Sequence, residues 1–103
     1  MTRGLLFITT IVLAGAAAAT ARAADAAKGE RLARAHCAPC HKIAPEGRSV
    51  VATAPPFDVI GRKYGFDADR IAQAIAGPHR KMNFAPSAAD AADIAAYIAG
   101  LKP

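Results

Sequence analysis

Cys37-Ala38-Pro39-Cys40-His41 sets two thiols three positions apart with an imidazole directly behind them, and these are the only cysteines in the 103 residues. Thiols at that spacing can each add across one vinyl group of a porphyrin, and the adjacent imidazole then falls under the iron as its proximal ligand. The pentapeptide therefore reads as an attachment site for haem c. With no third cysteine, no structural disulfide competes for the pair. Three other uses of the same residues stand beside this one. A thioredoxin-like dithiol calls for a βαβ context, whereas the residues before Cys37 read as helix with no strand ahead of them. A zinc site would need Cys37, Cys40 and His41, with His79 the candidate fourth ligand and the adjacent Cys40 and His41 both bent onto one tetrahedral ion. A simple Cys37–Cys40 disulfide is the third.

Residues 1–23 read as a secretory signal peptide that is cleaved. Arg3 supplies the positive start, Leu5 to Ala19 is apolar or small apart from Thr9 and Thr10, and Ala21-Arg22-Ala23 offers an A-x-A cleavage site. Cleavage at Ala21 is the alternative. The apolar run falls short of the roughly 20 residues that span a bilayer, so a soluble protein is expected rather than a membrane anchor. Export fits haem attachment, which takes place on reduced cysteines outside the cytoplasm; in a bacterial chain the destination is the periplasm.

Loss of Arg3 and Arg22 leaves 11 of the 13 basic residues against 8 acidic ones, lowering the formal charge from +5 to +3. Two ionised haem propionates would take away about two more. No RNP, finger or basic-helix motif supports nucleic-acid binding. Residues 24–103 make one small domain whose own side chains furnish only a marginal core, which a buried porphyrin would enlarge.

The periodicity predicts an all-α domain of three to four short helices packed around one haem. Ala26 to His36 is an amphipathic run of strong helix formers ending at the Cys37 turn. Residues 42–56 carry Pro45, Gly47, Ser49, Pro55 and Pro56, a loop composition. Phe57 to Tyr64 is a short helix stopped by Gly65, and Asp67 caps a helix over Ala68 to Ala76, closed by Gly77-Pro78. Ser87-Ala88-Ala89-Asp90 resembles a capping box opening a last helix, with Ile94, Tyr97, Ile98 and Leu101 on one stripe.

Once the leader is removed, Met82 is the only methionine. A thioether is a soft, neutral sixth ligand that favours ferrous iron and raises the potential relative to two imidazoles. Met82 follows two helices on an irregular segment, where a loop can carry it to the haem face opposite His41. A gap-filling core methionine is the bland alternative, and a loop is a poor address for one. His79 is a competing ligand if that loop folds differently, and otherwise a surface residue beside Arg80. His36, next to Cys37, is expected on the surface of the attachment side.

In this order the features resemble the class I c-type cytochromes, small monohaem electron carriers, over the whole of residues 24–103. Gly29-Glu30-Arg31-Leu32 resembles that family's first helix, where a glycine permits a close crossing with the last, and Tyr97 resembles its aromatic partner there. In Ala54-Pro55-Pro56-Phe57 the resemblance makes Pro55, ahead of Pro56, the residue whose carbonyl accepts the proximal imidazole N–H. Met82 matches the distal methionine, with Asn83 where many short bacterial members carry proline. Haem contacts are thus expected at Cys37, Cys40, His41, Pro55 and Met82, and iron ligation at His41 and Met82.

Iron ligated on both faces leaves no position for a small-molecule substrate, so the expected role is not an enzyme's. It is a monomeric one-electron carrier cycling between ferric and ferrous haem, passing electrons among redox proteins such as a dehydrogenase, reductase or oxidase. Lys42, Arg80 and Lys81 could steer docking to an acidic partner. The alternative is a haem c subunit or dedicated acceptor bound stably to a periplasmic dehydrogenase, and a third class is a haem enzyme or gas sensor with a labile sixth ligand.

Overall fold

A computed structural model describes residues 15, 23–79 and 82–103. The leader expected over residues 1–23 lies outside the described residues apart from Gly15 and Ala23, as do Arg80 and Lys81. The described residues form four helices in order: α1 (Ala26–His36), α2 (Phe57–Lys63), α3 (Ala68–Ala76) and α4 (Ala88–Ala99). There is no strand among the described residues, so the domain is all-α. None of the helices is long and apolar enough to cross a membrane.

Capping chemistry fixes the helix starts. The Asp25 carboxylate accepts from Lys28 N at 3.0 Å, Asp67 from Arg70 N at 3.1 Å, and Ser87 Oγ from Asp90 N at 3.1 Å. Only half of the expected capping box forms at Ser87. The Asp90 carboxylate turns away to Lys28 Nζ at 3.3 Å, where it ties α4 to α1. Gly65, at φ 62°, and Phe66, at φ 53°, both take left-handed backbone and turn the chain from α2 into α3. Gly65 does so without a Cβ clash, whereas the strained Phe66 is held by its N–H on the Gly61 carbonyl at 2.7 Å.

α4 is the hub, packed mainly on α1 and α3. Ile71 of α3 and Ile94 and Ile98 of α4 are fully buried, and burial of such side chains contributes about 1.5–3 kcal/mol each. α1 can approach only because Gly29 lies on the Asp93 carbonyl of α4, with no room for a Cβ. Beside that crossing the buried Asp93 carboxylate accepts from Asp25 N at 2.8 Å and faces Lys28 Nζ at 3.5 Å. A buried carboxylate is tolerable only with such partners, and these fasten the start of α1 to the middle of α4.

Candidate haem site

The C-terminus of α1 runs straight into the cysteine motif. Cys37 is the helix C-cap, its N–H on the Ala33 carbonyl at 2.8 Å, and the chain then folds back with Cys40 N and His41 N on the Cys37 carbonyl at 3.0 and 2.8 Å. Cys37 and Cys40 are both free thiols, half-buried on this turn, so the disulfide alternative is not formed. Burial pushes the Cys37 thiol above its ordinary pKa, keeping it protonated at neutral pH. Among the described residues no three His, Cys, Asp or Glu side chains converge as a metal cage, and no strand supplies a dithiol motif's context.

His41 Nδ1 lies 2.6 Å from the Pro55 carbonyl oxygen. A carbonyl can only accept, so Nδ1 carries the proton and donates, which leaves the lone pair of the neutral ring on Nε2. The intervening loop is clamped at several points to deliver that carbonyl. Lys42 N donates to Ser49 Oγ at 3.0 Å, Val51 N to the Cys40 carbonyl at 3.1 Å, and Phe57 N to the Lys42 carbonyl at 2.8 Å. From α4, Tyr97 Oη donates to the Ile43 carbonyl at 2.8 Å while its ring leans on Phe57. Burial pushes the Tyr97 phenol above its ordinary pKa. The Tyr97 hydroxyl thus ties α4 to the start of the loop.

Lys42 stands neither in a docking ring nor on open surface. Its side chain is only 15% exposed, with Nζ 3.4 Å from Asp58 Oδ1 and donating to the Pro45 carbonyl at 3.1 Å. Asp58 also accepts from Arg62 at 3.1 Å. Burial raises the Asp58 carboxyl, but the Arg62 hydrogen bond and the Lys42 charge outweigh it and hold the group below the ordinary carboxylate value. Lys42 is spent on closing the loop that presents Pro55. Its partner lies on α2, which is why the sequence around Lys42 gave no sign of it.

Cys37, Cys40, His41 and Pro55 are thereby gathered on one turn and one loop. Met82 stands on the separate segment between α3 and α4, half-buried in the wall of a 220 Å³ cavity with Ile75, His79 and Phe84. Two ring contacts bring that segment to the attachment side. The exposed His79 ring meets the His41 ring edge-on at 5.9 Å, and Phe84 stacks face to face on His36 at 3.8 Å with 6° between the planes. His36 is on the surface as expected, but its partnership with Phe84 spans 48 residues and was invisible to local pattern.

These residues suit haem c. Two free thiols sit beside an imidazole whose Nδ1 is already committed, and a thioether stands on another segment in the wall of the cavity shared with Ile75, His79 and Phe84. A small all-α domain with that donor set is the build of a c-type cytochrome. A family model described as "Cytochrome C oxidase, cbb3-type, subunit III" matches residues 24–98, and the chain belongs to that family of c-type cytochromes. Cytochrome c-552 of Bradyrhizobium diazoefficiens is similar to it, 38% identical over 98 residues that cover 93% of each chain. No solved structure matches. The protein is accordingly a haem c electron carrier, with its cofactor covalently bound.

Proposed function

We propose that this chain is an exported, periplasmic one-electron carrier in which His41 and Met82 ligate the iron and Cys37 and Cys40 hold the porphyrin. The observation that carries the reading is the 2.6 Å contact between His41 Nδ1 and the Pro55 carbonyl. It orients the ring, sets the tautomer and increases the basicity of Nε2, as a partner behind a metal-bound imidazole does. When bound, haem c supplies a one-electron ferric/ferrous couple. Cys37 and Cys40 would hold the porphyrin through thioether links, one from each free thiol. His41 Nε2 and the Met82 sulfur would ligate the iron, His41 through the lone pair that its Nδ1–H hydrogen bond to Pro55 leaves free. Ile75 and Phe84 line the cavity beside Met82 together with His79, and would set how much water reaches the sulfur. No position remains for a substrate, so the residues serve transfer rather than bond-making.

The exposed Val50 and Val51 favour a second reading, a stably bound haem subunit. Val51 N is bonded to the Cys40 carbonyl, so these side chains flank the attachment turn as an apolar surface that a partner could cover. The family description, which names an oxidase subunit, points the same way. Purification from native membranes and periplasm separates the two, since a subunit stays with its complex and a carrier runs alone.

Carrier function is tested by spectroelectrochemical titration of the holoprotein together with carbon monoxide binding to its reduced form. A one-electron couple and weak carbon monoxide binding that becomes strong in Met82→Ala are expected. Equal, tight carbon monoxide binding by parent and variant would identify an open iron site, and with it a sensor or enzyme.

A further inference from the structure

We propose that His36 is a positioning residue: its ring, stacked on Phe84, clasps the Met82 segment to the haem-attachment turn. The inference rests on Met82 being the axial ligand.

His36 is the last residue of α1, and the next residue is Cys37, whose N–H continues the helix onto Ala33. The ring is therefore carried by the hydrogen-bonded end of a helix. Phe84 lies two residues beyond Met82 on a segment with no helix or strand. Among the described residues, no backbone hydrogen bond ties 82–86 to the remainder of the fold. What holds this stretch is side-chain packing, with Phe84 on the edge of the hydrophobic core and on His36. Segments secured in this way open locally far more readily than helices.

A face-to-face pair at 3.8 Å and 6° is a specific geometry rather than incidental proximity. Removing it should raise the open population of the segment about two- to tenfold, the equilibrium equivalent of one aromatic pair. A small ligand that binds iron only when Met82 has swung away has an apparent affinity scaled by that open fraction. The clasp thus governs how well the methionine excludes competing ligands, without touching the iron itself.

The test is an imidazole titration of the ferric holoprotein, followed in the visible spectrum. His36→Ala, and separately Phe84→Ala, should bind imidazole about two- to tenfold more tightly than the parent. The double variant should bind no more tightly than the tighter single one, because both remove the same contact. His36→Phe, which retains a stackable ring, should return to the parent's affinity; a merely structural surface histidine would give no such rescue. Met82→Ala separates this inference from the ligand assignment beneath it. If Met82→Ala binds imidazole much more tightly than the parent while His36→Ala matches the parent, the ligand assignment stands and the clasp is overturned. If Met82→Ala itself leaves imidazole affinity unchanged, both fall together.

Discussion

Gly29→Ala adds one methyl group at the crossing of α1 and α4, and the structure says what it would meet. The new Cβ would stand 1.8 Å from the Asp93 carbonyl oxygen, 2.3 Å from its carbon and 2.8 Å from Ile94 N, all of them backbone atoms of a buried helix. No rotamer change can relieve such a clash. Restoring an ordinary contact of 3.4 Å requires the helices to move apart by about 1.6 Å. That displacement stretches the Asp25 N to Asp93 Oδ1 hydrogen bond from 2.8 Å to beyond bonding distance. Overpacking of this kind costs about 1–3 kcal/mol, and a lost hydrogen bond to a buried carboxylate about 1.5–3 kcal/mol. The better helix propensity of alanine returns about 1 kcal/mol. The net destabilisation is about 2–5 kcal/mol, which lowers the melting temperature of a domain this size by roughly 10 °C or more. Thermal unfolding of the holoprotein followed by far-UV circular dichroism measures it. Gly100→Ala is the control, because a Cβ there meets its nearest atom at 3.4 Å, and that variant should melt within a few degrees of the parent. A Gly29→Ala protein as stable as the Gly100→Ala protein would refute the close-crossing argument.

Tyr97→Phe removes the donor to the Ile43 carbonyl and should cost about 1–2 kcal/mol in denaturant unfolding. Because burial raises the Tyr97 phenol above its ordinary 10.0, its contribution is fully present below that pH and is lost as pH rises through the higher folded value. The parent's alkaline loss of stability should therefore be shallower in Tyr97→Phe. Lys42→Met leaves Asp58 Oδ1 without its cation and should cost about 1–2 kcal/mol, while leaving the ionic-strength dependence of electron transfer to a redox partner as in the parent. A changed salt dependence with unchanged stability would put Lys42 back among docking residues. In acid, the Asp58 contribution is present above the ordinary carboxylate value of 3.8 and is lost as pH falls below it toward the depressed folded value, so Asp58→Asn should show a weaker fall in stability there.

Local chemistry was legible in the sequence and long-range pairing was not. The bounds of α1 and α3 follow from helix formers placed between a turn and a cap, all within a few residues, and the structure returns Ala26–His36 and Ala68–Ala76. The end of α2 is at Lys63, with Tyr64 as its cap, a difference of one residue where helix ends fray. The cysteine motif is equally local. By contrast, the fate of the Asp90 carboxylate depends on Lys28, that of Lys42 on Asp58, and that of His36 on Phe84. Each pair is brought together by the tertiary fold, helix on helix for Lys28 and Asp90 and loop on helix for the other two, so spacing along the chain carries no trace of it. His79 is the sharpest instance. It is exposed, as the sequence suggested, yet its ring lies 5.9 Å from His41, which keeps it in contention with Met82.

That contention makes the ferric absorption spectrum of the purified holoprotein the most direct measurement, taken for the parent, Met82→Ala and His79→Ala. Axial ligation by His41 and Met82 predicts a weak sulfur-to-iron band in the parent, its persistence in His79→Ala, and its loss in Met82→Ala together with a lower reduction potential. A parent without that band, whose spectrum and potential change in His79→Ala and not in Met82→Ala, would show iron held between two imidazoles and contradict the assignment of Met82.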